Sequence, residues 1–280
     1  MNKFLSKNQL KNKKEIKRSS KNNITLLDKR QKFIIGVGFL SLLFFIGSYF
    51  LNTYGVISAF ILSFLSDLFL FWGVYPDLED NFHPQIFSLT FLYSLSFGLF
   101  TFLTPYRFIS RVILTIIYAI GIYSLFLCEN IFIVAAGRTI ALLSSARIIS
   151  LVISLVISMF ISSAIFSSHF LIFIEAPLIF LMYFLISSHG IWSYTLEKDL
   201  KKDLYWVLMI SLFITELAIA LWFWPSSPAI LALFLTGIWY FLIGLSHAWL
   251  DKRLFKNVFT EYIWICLISV LLIISFTKWG

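Results

Sequence analysis

Three acidic residues, Asp67, Glu175 and Glu216, each interrupt a long apolar run, and they are the first residues of this chain whose type and setting could do chemistry. A charged side chain at the centre of a bilayer costs at least about 2.5–3.5 kcal/mol on insertion scales, so such groups are candidates for function by default. Facing one another, the three carboxyls would make a site for a cation or a proton. Arg107, Arg111 and His169 would stand at its mouth, and Pro177, two residues after Glu175, would free a backbone carbonyl nearby. The plainer alternative is that each acid bonds locally to Ser or Tyr and only ties helices together.

A second charged group comprises Glu129, Arg138 and Arg147. On two antiparallel helices, Glu129 and Arg147 would form an ion pair that sets their register. The sharper reading gives the arginines a phosphate or lipid head group. The histidines are His83, His169, His189 and His247. Two at one depth on different helices could ligate a haem, and only His189 and His247 meet that condition; tolerance near a membrane interface is the simpler account. Cys128 and Cys266 have no metal or disulfide spacing.

Enzymatic signatures are weak. Asp77, Glu79 and Asp80 in PDLEDN could hold Mg²⁺ for a diphosphate-bearing lipid substrate, with Arg138 assisting. The loop carries no Lys or Arg and no second acidic motif follows nearby, so a solvated loop explains it equally well. Ser246 and His247 are adjacent in GLSH, and neighbours on a helix do not face each other. HExxH, Walker A and GxGxxG patterns do not occur in a suitable context. No catalytic residue, cofactor or metal is therefore expected.

These residues must be positioned by membrane helices. The chain is 60% hydrophobic and 13% charged, with mean hydropathy +0.90, whereas soluble domains carry about 25% charge. Nine apolar segments reach the ~20 residues needed to span, at about 33–52, 56–75, 86–104, 112–132, 142–166, 170–188, 205–223, 228–246 and 258–276. In lipid each must satisfy its own backbone, so each reads as a helix. At 1.5 Å per residue, Asp67, Glu175 and Glu216 lie about 16, 8 and 12 Å below the outer interface. The expected fold is all-α, a polytopic bundle of eight or nine transmembrane helices. Trp72, Tyr75, Trp192, Tyr194, Tyr205, Trp206, Trp222 and Trp224 mark predicted interfaces.

Basic residues orient the bundle. With the N-terminus inside, 19 of the 22 Lys and Arg residues fall on the cytoplasmic side; Arg107, Arg111 and Lys278 do not. Residues 1–32 alone hold 11 Lys and Arg against Glu15 and Asp28. That stretch reads as a flexible basic tail attracted to anionic lipid, ahead of a single transmembrane domain over 33–280. Without an aromatic or fold-specific signature, it gives no reason to expect a nucleic-acid partner.

The run ISLVISLVISMFISSA places Ser150, Ser154, Ser158 and Ser162 four residues apart. Such a stripe winds about 40° per step and suits close helix crossing of the small-xxx-small kind. It is the expected packing face of the fifth helix, available to a membrane-protein partner or a second copy, and each hydroxyl is expected to bond its own i−4 carbonyl.

The segment CENIFIVAAGRTIALLSSARIISLVISLV (128–156) resembles a run in uncharacterised multi-pass membrane proteins of candidate-phyla bacteria, a domain-of-unknown-function family. Glu129–Asn130–Ile131–Phe132, Val134–Ala135–Ala136, Arg138–Thr139–Ile140 and Ala146 carry the likeness; Gly137, Ser144 and Ser145 depart from it. The resemblance implies a polytopic fold and no assigned activity, and it draws attention to Glu129, Asn130 and Arg138. The sequence thus predicts an integral protein of a bacterial inner membrane. The leading expectation is a non-enzymatic scaffold or accessory component. The alternatives are a carrier of a small solute or cation using intramembrane carboxylates, and a lipid-modifying enzyme.

Overall fold

The computed structural model describes residues 28–50, 55–78, 83–137, 140–196, 200–252 and 255–277. Among these, nine helices are each long and apolar enough to cross a bilayer. They are α1 (Lys29–Phe50), α2 (Gly55–Leu78), α3 (Gln85–Phe100), α4 (Phe108–Ala135), α5 (Leu143–Ser167), α6 (Ile172–Thr195), α7 (Leu200–Trp222), α8 (Pro228–Leu250) and α9 (Lys256–Phe276). A short 3₁₀ turn, Thr101–Leu103, follows α3. The protein is a polytopic helical bundle, and each expected span has its helix, with ends displaced by at most seven residues, the most at the end of α6.

Proline and uncapped termini punctuate the chain as local chemistry requires. Pro228 opens α8, where its missing N–H removes no helical bond. Leu196 closes α6 in the left-handed region, with φ 48°. The basic tail lies largely outside the described residues, but its last part is helical: Lys29 begins α1 and pairs with Asp77 at the far end of α2.

The centre of the bundle is α3, α5, α6 and α8. Helix α3 packs on α2, α4, α5 and α6, while α5 packs on α3, α4, α6 and α8. Lipid tails are as apolar as leucine, so shape and small residues must hold such helices together. Gly98 shows the constraint, because a Cβ there would lie 2.4 Å from the Ala59 Cβ. On the periphery, α9 rests chiefly on α8 and buries only Ser269 and Ile273.

The serine stripe is a seam inside the chain. Ser150, Ser154, Ser158 and Ser162 are all buried. Ser154 donates to the Ser150 carbonyl, 2.8 Å away. Ser158 and Ser162 instead bond across the bundle: Ser158 to the Tyr183 hydroxyl (2.8 Å) and Thr236 (3.0 Å), and Ser162 to Tyr183 (3.2 Å). The expected i−4 bonding therefore gives way where a neighbouring hydroxyl is within reach. The face is covered by the chain's own α6 and α8.

Candidate functional site

The most demanding polar group in the bundle lies where α4 meets α6. Helix α4 ends at Ala135 and α6 at Thr195. Glu129 and His189 both sit about 9 Å before those ends, at 1.5 Å per residue. His189 Nε2 and Glu129 Oε1 are 2.8 Å apart, and both side chains are 0% exposed. Phe132, one turn along α4, sets its ring against both His189 and Trp192. Trp192 in turn contacts the rings of His189 and His83.

Asp67 on α2 is a further, partly buried acid whose charge interacts with that of Glu129. Several buried polar atoms around the pair lack a protein hydrogen-bond partner: Glu129 Oε2, His189 Nδ1, Asp67 Oδ1, Asn130 Oδ1 and Trp192 Nε1. An unpaired buried donor or acceptor costs about 1–3 kcal/mol, so a group of them is unusual in a structure that only needs to be stable. Chemically, the Glu129–His189 contact is a short path for a proton. Movement between Oε1 and Nε2 interconverts a neutral acid–imidazole pair and a carboxylate–imidazolium pair without changing the pair's net charge.

Other residues singled out from the sequence are placed differently. Asp67, Glu175 and Glu216 do not form one cluster. Glu175 is buried in the first turn of α6 against Ala218 and Trp222 of α7, where a carboxyl also meets the positive end of the helix dipole. Glu216 is exposed on α7. Depth alone could not show this, because residues at one depth still point in different directions.

Glu129 and Arg147 do not pair with each other. Arg147 donates to the carbonyls of Ser193 (3.0 Å) and Tyr194 (2.8 Å) and lies over the Tyr194 ring. The guanidinium thereby satisfies the carbonyl end of α6, where a cation is favoured. Arg138, Glu79 and Asp80 lie outside the described residues, and Asp77 is engaged by Lys29. Trp192 faces into the bundle and is 1% exposed. Tyr194 stacks on His247, which is also bonded to the Gly190 carbonyl at 3.1 Å. His247 and His189 therefore have separate partners. Ser246 accepts a bond from Trp206 and donates to Leu242, away from any nucleophile–base pairing.

His189 and Trp192 are the residues that sequence reading missed as a site. The available signal was position: Glu129 and His189 both fall six residues before the C-terminal end of their helices. Facing could not be read, since 60 residues separate them.

The fold and this centre define a class: a polytopic helical membrane protein with a buried acid–histidine pair. The chain belongs to the family described as protein of unknown function (DUF5656), whose profile matches residues 84–276. No curated protein and no solved structure matches it. The match starts at α3, so Glu129 and His189 lie inside the family region and Asp67 lies on a helix ahead of it.

Proposed function

We propose that this protein conducts protons across the bacterial inner membrane, with Glu129 and His189 as its proton-exchanging pair and Asp67 as a further acid that interacts with Glu129. One observation carries the reading: the 2.8 Å Glu129–His189 contact has no exposure and keeps an unpartnered oxygen on one side and an unpartnered nitrogen on the other. Intramembrane ionisable residues that pair with one another are characteristic of proton relays. The Lys and Arg asymmetry supports a cytoplasmic N-terminus, and that orientation sets the pair in the cytoplasmic half. The basic tail is then available to anionic lipid of the same leaflet.

Proteoliposomes containing a pH-sensitive dye test the reading. Wild-type protein is expected to dissipate an imposed pH gradient faster than empty vesicles, and E129Q and H189Q to lose most of that rate. Absence of protein-dependent flux, or a rate unchanged in E129Q, would overturn it. The scaffold reading retains one favouring observation, the exposed face of α9 with Phe259, Ile263 and Trp264. It predicts that a partner copurifies with the wild type and is lost when those three are replaced by serine, with no dependence on Glu129.

A further inference from the structure

At the outer end of the bundle, Arg111 is in the first turn of α4 and is 2% exposed. Its Nε and Nη1 have no hydrogen-bond partner. Among the described residues no acid forms an ion pair with it. The setting makes a lone cation more costly still. A helix N-terminus is the positive end of the dipole, and α4 has no side-chain cap. The first helical bond shown there runs from the Arg111 amide to the Arg107 carbonyl, leaving the amides of 108–110 ahead of it. Buried cations are retained when something anionic meets them.

The guanidinium lies over the Tyr106 ring, 4.7 Å from its centroid. Tyr106 also lines a groove of about 170 Å³ between α1, α2 and α3. Leu43, Gly47, Ser58, Leu62 and Gly98 form much of its wall, and it is predominantly apolar. Its size is comparable to that of an apolar cavity of about 150 Å³ that accepts benzene. The tyrosine therefore joins two complementary features: a buried cation with no ion-pair partner among the described residues, next to the first amides of α4, and an apolar slot between the helices.

The geometry points to a binding site for one molecule of anionic phospholipid, its phosphate held by Arg111 and the start of α4 and part of one acyl chain laid in the α1–α2–α3 groove. Charge complementarity selects the head group, and the apolar slot selects a lipid over free phosphate. The site lies at the opposite membrane face from the Glu129–His189 pair and stands or falls independently of it.

The test uses the full chain purified in detergent, with native mass spectrometry to titrate dioleoylphosphatidylglycerol, dioleoylglycerol and inorganic phosphate. Wild-type protein is expected to bind the phospholipid more tightly than the neutral diacylglycerol, and phosphate not to compete. R111Q should weaken phospholipid binding by about tenfold, with R111K intermediate, as loss of a charge-assisted bidentate contact requires. In G47L, Arg111 is intact and the groove is obstructed; the Gly47 Cβ position has only ordinary contacts, the nearest at 3.5 Å, the rest of the leucine is directed to the groove that Gly47 lines, and circular dichroism checks that the variant is folded. It should weaken phospholipid binding by a similar factor. Unchanged phospholipid affinity in R111Q overturns the proposal. So does unchanged affinity in G47L, and so does competition by phosphate, which would mark a free-phosphate site. If R111Q fails to fold by circular dichroism, G47L decides alone.

Discussion

The α5 serine seam and the Glu129 centre are both polar, both buried and both at helix–helix contacts, yet they differ in completeness. Along the seam the hydroxyls of Ser154, Ser158, Ser162, Tyr183 and Thr236 all have partners. Around Glu129, polar atoms on Asp67, Asn130, His189 and Trp192 do not. Polarity inside a membrane bundle thus has two uses. Closed networks hold helices in register, because hydrogen bonds between helices recover the cost of placing hydroxyls out of water. Open networks retain capacity to accept or release something, at a cost in stability that packing elsewhere must offset.

Single removals at the centre should have the largest effect on stability. E129A or H189A strands the other member of a buried pair and should cost about 3–5 kcal/mol, measured by chemical unfolding in detergent. The double variant E129L/H189L sharpens the comparison: stability should return to within about 1 kcal/mol of wild type while proton flux stays absent. A double variant as unstable as either single one would show the pair to be structural. R147Q removes two bonds to the carbonyl end of α6 and should cost about 2 kcal/mol, again read from unfolding, with flux retained. Y183F opens the seam at a hydroxyl shared by Ser158 and Ser162. It should cost about 1 kcal/mol and leave flux unchanged; lost flux at full stability would put the seam in the transport path. E216Q should be smallest, altering neither melting temperature nor flux, because Glu216 is exposed on α7. A loss of flux there would return this acid to the site.

The order of these effects could not be derived from the residues alone. Asp67, Glu175 and Glu216 stood out as acids in apolar runs, although Glu175 lies against α7, Glu216 is exposed and only Asp67 interacts electrostatically with Glu129. Arg147 was a plausible partner for Glu129 because both are near the inner ends of consecutive helices. In the fold it meets carbonyls from α6, which have no side-chain signature. The stripe on α5 was legible as a packing face because small residues at i, i+4 admit close approach whatever the neighbour is. Which helices filled it was not.

By itself the sequence determined the helical class and where the apolar spans lie. These follow from summed hydropathy and from the need of every backbone group in lipid to bond within its segment. Both are properties of one segment at a time. Tertiary structure alone decided that His189 meets Glu129, that Arg111 is buried without an ion-pair partner under a tyrosine that lines an apolar groove, and that the serine face is already covered. Those outcomes depend on the rotation and neighbour of each helix. Among nearly uniform apolar surfaces, that choice is made by close shape fitting and a few directional bonds, which no single segment encodes.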